Sequence, residues 1–196
     1  MQHTLVFATN NPNKVAEMKT ILPATFDVKS LMEAGIDIDI PEPFDTLEEN
    51  AATKSETIYK LTGNDCFSED TGLFVEALNG EPGVKSARYA GEPSSAEANI
   101  VKLLGKLEGV KNRDAFFRTI ISLIIGGKEY QFEGICEGVI LSAKTGEKGF
   151  GYDPVFLPNG GDKSFAEMGM DEKNKFSHRK KAMAKLIKFL SEKEQA

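Results

Sequence analysis

The sequence predicts an α/β fold with a mixed sheet flanked by helices. Two observations carry this: apolar strand-like and helix-periodic segments alternate as β-α-β-α along the first half, and a long meander with a closing helix follows. A two-Gly break between two long β-prone runs adds a hairpin.

Residues 4–9 are mostly apolar, as in a buried strand. Val15, Met18 and Leu22 then recur at helical spacing. Residues 26–31 form a second strand, and residues 35–45, with two Pro and four acids, a loop. Thr46 and Glu49 make a capping box, so a helix runs from there to about Leu61. Residues 66–78 are strand-like around a polar break, SEDTG, and residues 79–94 are a Gly- and Pro-rich loop. Ser94 or Ser95 caps a helix that carries Ile100, Leu103, Leu104 and Leu107. FFRTIISLII and KEYQFEGICEGVIL are joined by Gly126-Gly127. The last helix places Met183, Leu186, Ile187 and Leu190 on one face.

The 196 residues suffice for one domain, or two closely packed lobes, with a real core. Apolar residues make up 40% and the net charge is −6, which argues against generic binding to nucleic acid or an anionic membrane. A small anionic ligand in a local basic site stays open. Cys66 and Cys136 sit in apolar runs, outside any zinc-type spacing, and read as reduced core residues. No signal peptide and no apolar run of ~18 residues is visible, so a cytoplasmic protein is expected.

Five places carry candidate chemistry. In ATNNPNK (8–14), a strand hands over to a helix, gathering free backbone N–H groups and the positive end of a helix dipole. Such a place binds phosphate, and Thr9, Asn10, Asn11, Pro12, Asn13 and Lys14 are its candidates. A capped turn with a solvated Lys explains the same letters. Lys54 falls on one helical stripe with Leu47, Ala51, Ile58 and Leu61, at ~100° per residue. A Lys centred on an apolar face is seldom buried unless paired, so it faces an anion or snorkels along the sheet edge. Glu69 and Asp70, with Glu42 in the preceding loop, offer carboxylates for a hard cation such as Mg²⁺ and for activating water. Alone, EDTG reads as an acidic turn. GFGYDP (149–154) combines backbone access at its Gly residues with a stacking face, or is a tight turn with core aromatics. Finally, His178, Arg179, Lys180 and Lys181 fill the first turn of the last helix, where the dipole disfavours cations. They face an electron-rich ligand or form a solvated basic patch.

Together and in this order, TNNPNK, ENAATK, SEDTGL, GEPGVKSARYAG, GFGYDP and FSHRKKA resemble the inosine triphosphate pyrophosphatase family over nearly the whole chain. The resemblance implies an elongated two-lobed subunit with a central cleft, a homodimer and Mg²⁺. It also implies hydrolysis of ITP, dITP and XTP to monophosphate and pyrophosphate. By motif, Thr9–Lys14 and Lys54 clamp the triphosphate, Asp70 is general base and metal ligand, Glu42 lies near metal, and Thr71 touches substrate. Phe150 stacks on the purine beside Gly151, Tyr152 and Asp153, while Lys173, His178 and Arg179 meet the base. EDTG stands where many relatives read DDSG, so the metal role of Glu69 is the departure. A pyrophosphatase for other modified nucleotides and a non-catalytic nucleotide-binding module are the alternative readings.

Overall fold

A computed structural model describes residues 3–194. The element order is β1 (His3–Phe7), α1 (Pro12–Ile21), β2 (Phe26–Ser30), α2 (Leu47–Thr62), β3 (Cys66–Val75) and β4 (Pro82–Gly83). Then come α3 (Ala96–Lys106), β5 (Asp114–Ile125), β6 (Lys128–Ile140), β7 (Phe156–Pro158), α4 (Met170–Lys173) and α5 (His178–Glu194). The strands form one mixed sheet in the order β2-β1-β3-β5-β6-β7, with β4 paired to β3. β1 pairs in parallel with β2 and β3, whereas β3–β4 and β6–β7 are antiparallel. The expected α/β fold, a mixed sheet with flanking helices, is what the chain adopts.

The chain divides into two compact units. The first holds Met1–Asp70, Thr119–Gly134 and Arg179–Ala196, the second Thr71–Arg118 and Ile135–His178.

In the first unit, helices cover both faces of the strands, and the period-2 alternation of a strand sorts side chains between them. Leu5 and Phe7 of β1 pack with Phe67, Ile121 and Leu123 against Met18 and Ile21 of α1 and Met183, Leu186 and Leu190 of α5. Phe7 and Phe67 stack with centroids 4.6 Å apart. The intervening Val6 and Ala8 pack with Cys66, Ile124 and Leu31 against Ile58 of α2. Two-sided burial is why these strands read as unbroken apolar runs.

The second unit has its own core. Ile100, Leu103 and Leu107 of the α3 region lie against Leu73, Val75, Phe117, Ile140, Phe156 and Phe165. The Gly126-Gly127 turn joining β5 and β6 has φ of +57° and +76°, which glycine adopts without strain.

Local chemistry sets most boundaries. The Thr46 hydroxyl accepts the Glu49 N–H at 3.2 Å and donates to the Glu49 carboxylate at 2.6 Å, so the capping box forms. Gly63, at φ +67°, closes α2. Ser95 caps α3, accepting from the Ala98 N–H. Three expectations change. β1 ends at Phe7, because Thr9 turns the chain and its hydroxyl accepts the Asn11 N–H at 3.1 Å. The supposed loop 79–94 contains β4 and a short 3₁₀ turn at Ser86–Arg88. Most consequentially, SEDTG is no turn: β3 runs through it unbroken, with Ser68, Glu69 and Asp70 buried.

The α2 stripe is also shorter than its periodicity suggests. Leu47, Ala51, Lys54 and Ile58 are buried, but Leu61, in the last turn, is 59% exposed. Both cysteines are free and buried, and burial, with the Asp65 charge, pushes the Cys66 thiol up to about 12. No helix among the described residues is long and apolar enough to cross a membrane.

Ile58→Ala should cost about 2–5 kcal/mol in urea unfolding, the range for truncating a buried Ile. Leu61→Ala, three residues on, should stay within about 0.5 kcal/mol. Equal losses would mean that the stripe packs along its full length.

Candidate active site

The first unit gathers charge where an α/β protein normally keeps it out. Asn11 caps α1, its side-chain oxygen accepting the N–H groups of Asn13 (3.0 Å) and Lys14 (3.3 Å), with Pro12 at the first helical position. Lys14 does not dangle in solvent. Its ammonium lies 3.2 Å from Glu69, and the helix dipole it opposes is offset by that carboxylate. Asn10 donates to the Ile38 carbonyl at 2.9 Å, tying this turn to the segment before α2.

Lys54 confirms the inward reading of its stripe. It is buried, forms an ion pair and hydrogen bond with Glu42, and sits 3.6 Å from Asp70. The snorkelling alternative is thereby excluded. Burial pushes the Asp70 carboxyl above its ordinary range. Lys54 and Lys14 pull the other way, and Glu42 adds to the rise. A carboxyl raised in this way, still linked to a cation, is suited to taking a proton from water.

Glu69 behaves differently. Its two oxygens accept from Arg179 Nε (2.6 Å) and Nη2 (2.7 Å), a bidentate pair, and Lys14 completes its surroundings. Burial opposes ionisation, but Arg179 and then Lys14 outweigh it, so Glu69 stays well below the usual carboxylate range. Arg179 is itself 1% exposed and also pairs with Glu17 through Nη1.

Two expected site residues are thus engaged with each other. Arg179, expected to meet the base, directs Nε, Nη1 and Nη2 to carboxylates. Glu69, expected as a metal carboxylate, has both oxygens on cations. Among the described residues, no group of three or more His, Cys, Asp or Glu side chains is arranged to hold a metal ion. Glu42 and Asp70, both beside Lys54, are the oxygen pair that remains. One or two carboxylates completed by substrate phosphates are what Mg²⁺ uses in nucleotide sites, so this pair fits that ion.

The second unit holds an aromatic shelf. Asp153 Oδ2 accepts the Phe150 N–H at 3.0 Å and the Lys173 ammonium at 2.7 Å. The Lys173 ammonium also lies 5.4 Å from the Phe150 ring centre and 5.1 Å from that of Phe165, cation–π distances. Phe150 is half-buried. Gly149 makes the turn possible: its φ is +73°, and a Cβ there would lie 2.0 Å from Asp153 Oδ2. Gly151, at φ +60°, is half-buried with open space where its Cβ would be. Tyr152 is an anchor, its hydroxyl donating to the Ser86 carbonyl at 2.7 Å, and burial raises its phenol well above the usual value. His178 stacks on Phe117, centroids 4.7 Å apart. Thr71 is half-buried next to Asp70 in β3.

Two contributors were not singled out in the sequence. Glu17 is buried in α1 among charged residues whose neighbours are exposed, so periodicity hides it. Asn50 is fully buried and grips the Phe44 backbone on both sides; it lies within ENAATK, the same motif as Lys54.

A sequence profile of the Ham1 family matches residues 5–189. The chain belongs to the Ham1 family. Its curated relatives include the dITP/XTP pyrophosphatases of Flavobacterium johnsoniae (51% identical, 95% of this chain and 97% of that one) and Porphyromonas gingivalis (52%, 95% and 96%). Among solved structures, the Ham1 protein of Staphylococcus aureus superposes with a TM-score of 0.87 at 42% identity, covering 97% of this chain and 99% of that one. A nucleoside-triphosphatase, dITP/XTP pyrophosphatase, from Mycobacterium abscessus superposes at 0.75, with 37% identity and 93% and 98% coverage. The Ham1 match spans both the charged cluster and the aromatic shelf.

Arg179→Ala should cost about 3–5 kcal/mol at neutral pH, because Glu69 and Glu17 keep their burial and lose their cation. The pH dependence has a definite sign. In the parent, the depressed Glu69 stabilises fully above the unfolded carboxylate pKa of about 4.3 and less as pH falls through that region. In the variant, burial acts on the Glu69 carboxyl without the guanidinium to oppose it, so the penalty is largest at neutral pH and is relieved by protonation. The difference in unfolding free energy should shrink from pH 8 to pH 5. A difference that stays small and flat would show that the ion pairs carry no stability.

Proposed function

We propose that this Ham1-family chain hydrolyses the deaminated purine nucleoside triphosphates ITP, dITP and XTP to monophosphate and pyrophosphate, removing them from the nucleotide pool. The observation that carries this reading is Asp70: a buried carboxyl with a raised pKa, beside a buried Lys and a second carboxylate. The names of the relatives support the substrate class.

In this mechanism, Lys54 and Lys14, with the side chains of the Thr9–Asn13 turn beside Lys14, receive the triphosphate and offset its charge. Glu42 and Asp70 would hold Mg²⁺, which would supply Lewis-acid polarisation of phosphate oxygens. Asp70 takes the proton from a water as that water's oxygen bonds to phosphorus. The Pα–O–Pβ linkage breaks, and its electron pair leaves with pyrophosphate. Phe150 offers its ring face to the purine, with Gly151 leaving room beside it. Lys173, His178, Asp153, Tyr152 and Thr71 surround or support the substrate. Arg179 acts through Glu69, which it holds against Lys14.

Selectivity then rests on the 6-position. Hypoxanthine and xanthine present an acceptor there, where adenine presents an amine, and an amine facing donors leaves both unpaired. The chain works as a homodimer in the cytoplasm on this reading, which sedimentation of the purified protein tests for its oligomeric part.

The function is tested by pyrophosphate release from ITP, dITP, XTP and the four standard triphosphates, with Mg²⁺ and with EDTA. Release confined to the first three, and abolished by EDTA, is expected. Binding without release would favour a nucleotide-binding module, and preference for other modified nucleotides would move the substrate class. Asp70→Asn should reduce turnover by about 10²–10⁴, the range for losing a general base. Near-parental turnover would remove Asp70 from the mechanism.

A further inference from the structure

Residues 36–46 form no helix or strand, yet they carry Glu42. A backbone without a ladder must find hydrogen bonds elsewhere. Two asparagines supply them. Asn10 donates to the Ile38 carbonyl at 2.9 Å. Asn50, in the first turn of α2, works as a peptide mimic. Its oxygen accepts the Phe44 N–H at 3.0 Å, and its NH₂ group donates to the Phe44 carbonyl at 3.0 Å. Asn50 is fully buried. One side chain thus pins the backbone two residues beyond Glu42, while Lys54, one turn along the same helix, pairs with Glu42 and Asp70.

We propose that Asn50 is a positioning residue: it clamps the 36–46 segment so that Glu42 and Asp70 share one place beside Lys54. The proposal rests on the hydrolytic reading above. Asn50 touches no substrate in this account. Its effect is to fix two carboxylates that come from elements far apart in the chain, one on an irregular segment and one on β3. Residues that orient a site's ligands typically cost 10–100-fold in activity when replaced.

Asn50→Ala is compared with Ser55→Ala, a buried residue of the same helix whose hydroxyl bonds to the Ser122 hydroxyl at 2.7 Å and which lies outside the site. Two quantities are read: kinetics with dITP, and amide hydrogen exchange of Phe44 in the nucleotide-free protein. For Asn50→Ala, kcat should fall by about 10–100-fold while KM stays within about threefold, and the Phe44 amide should exchange faster. Ser55→Ala should leave the Phe44 exchange and kcat near parental. A kcat loss no larger than that of Ser55→Ala, or an unchanged Phe44 amide, overturns the proposal. Should Asn50→Ala not fold, Asn50→Asp keeps the acceptor for the Phe44 N–H and loses both donors. It should protect the Phe44 amide yet still lower kcat, and a parental kcat would overturn the proposal. If the parent does not hydrolyse dITP, the hydrolytic reading fails on its own. Faster Phe44 exchange in Asn50→Ala then still supports the clamp, and unchanged exchange rejects it.

Discussion

The first unit is organised by the need to neutralise carboxylates that its sheet and helices bury. Glu17, Glu69 and Asp70 are buried, and Glu42 is half-buried beside them. Among the described residues, Lys14, Lys54 and Arg179 pair with them. A buried charge without a partner costs several kcal/mol, so the positions of these seven groups constrain one another. Arg179 satisfies Glu17 and Glu69 together, which fixes the start of α5 against α1 and β3. Lys54 is shared between Glu42 and Asp70. Asp70 is the acid for which burial outweighs its cations.

This arrangement explains why neighbours in one strand differ so much. Glu69 and Asp70 are adjacent, yet their carboxyls shift in opposite directions. Strand alternation sends them to opposite faces, one to a bidentate guanidinium and the other to a shared ammonium. Environments that push two adjacent titrating groups apart are a recurrent way to assign separate roles in one site. On the proposed reading, Glu69 is structural and Asp70 chemical.

Much of this was legible in the sequence, for local reasons. The capping box at Thr46, the Gly126-Gly127 turn and the α2 stripe each follow from contacts within a few residues. Lys54 was found in this way, because its inward direction depends only on helical period. The rest concerns contacts across the chain. Arg179 meets Glu69 across 110 residues and Glu17 across 162, and no local pattern reports such pairs. EDTG reads as a turn because charge in a strand is normally exposed. It is buried because cations from α1, α2 and α5 arrive to pair with it. The family motifs marked these residues without revealing that Arg179 faces carboxylates.

The central claim is this division between adjacent acids, and unfolding free energies at pH 7 test it most directly. Glu69→Gln leaves Arg179 and Lys14 short of a buried anion and should cost about 3–5 kcal/mol. Asp70→Asn removes a carboxylate that burial disfavours and should leave stability at or above that of the parent. Equal losses for the two variants, or a larger loss for Asp70→Asn, would contradict the account.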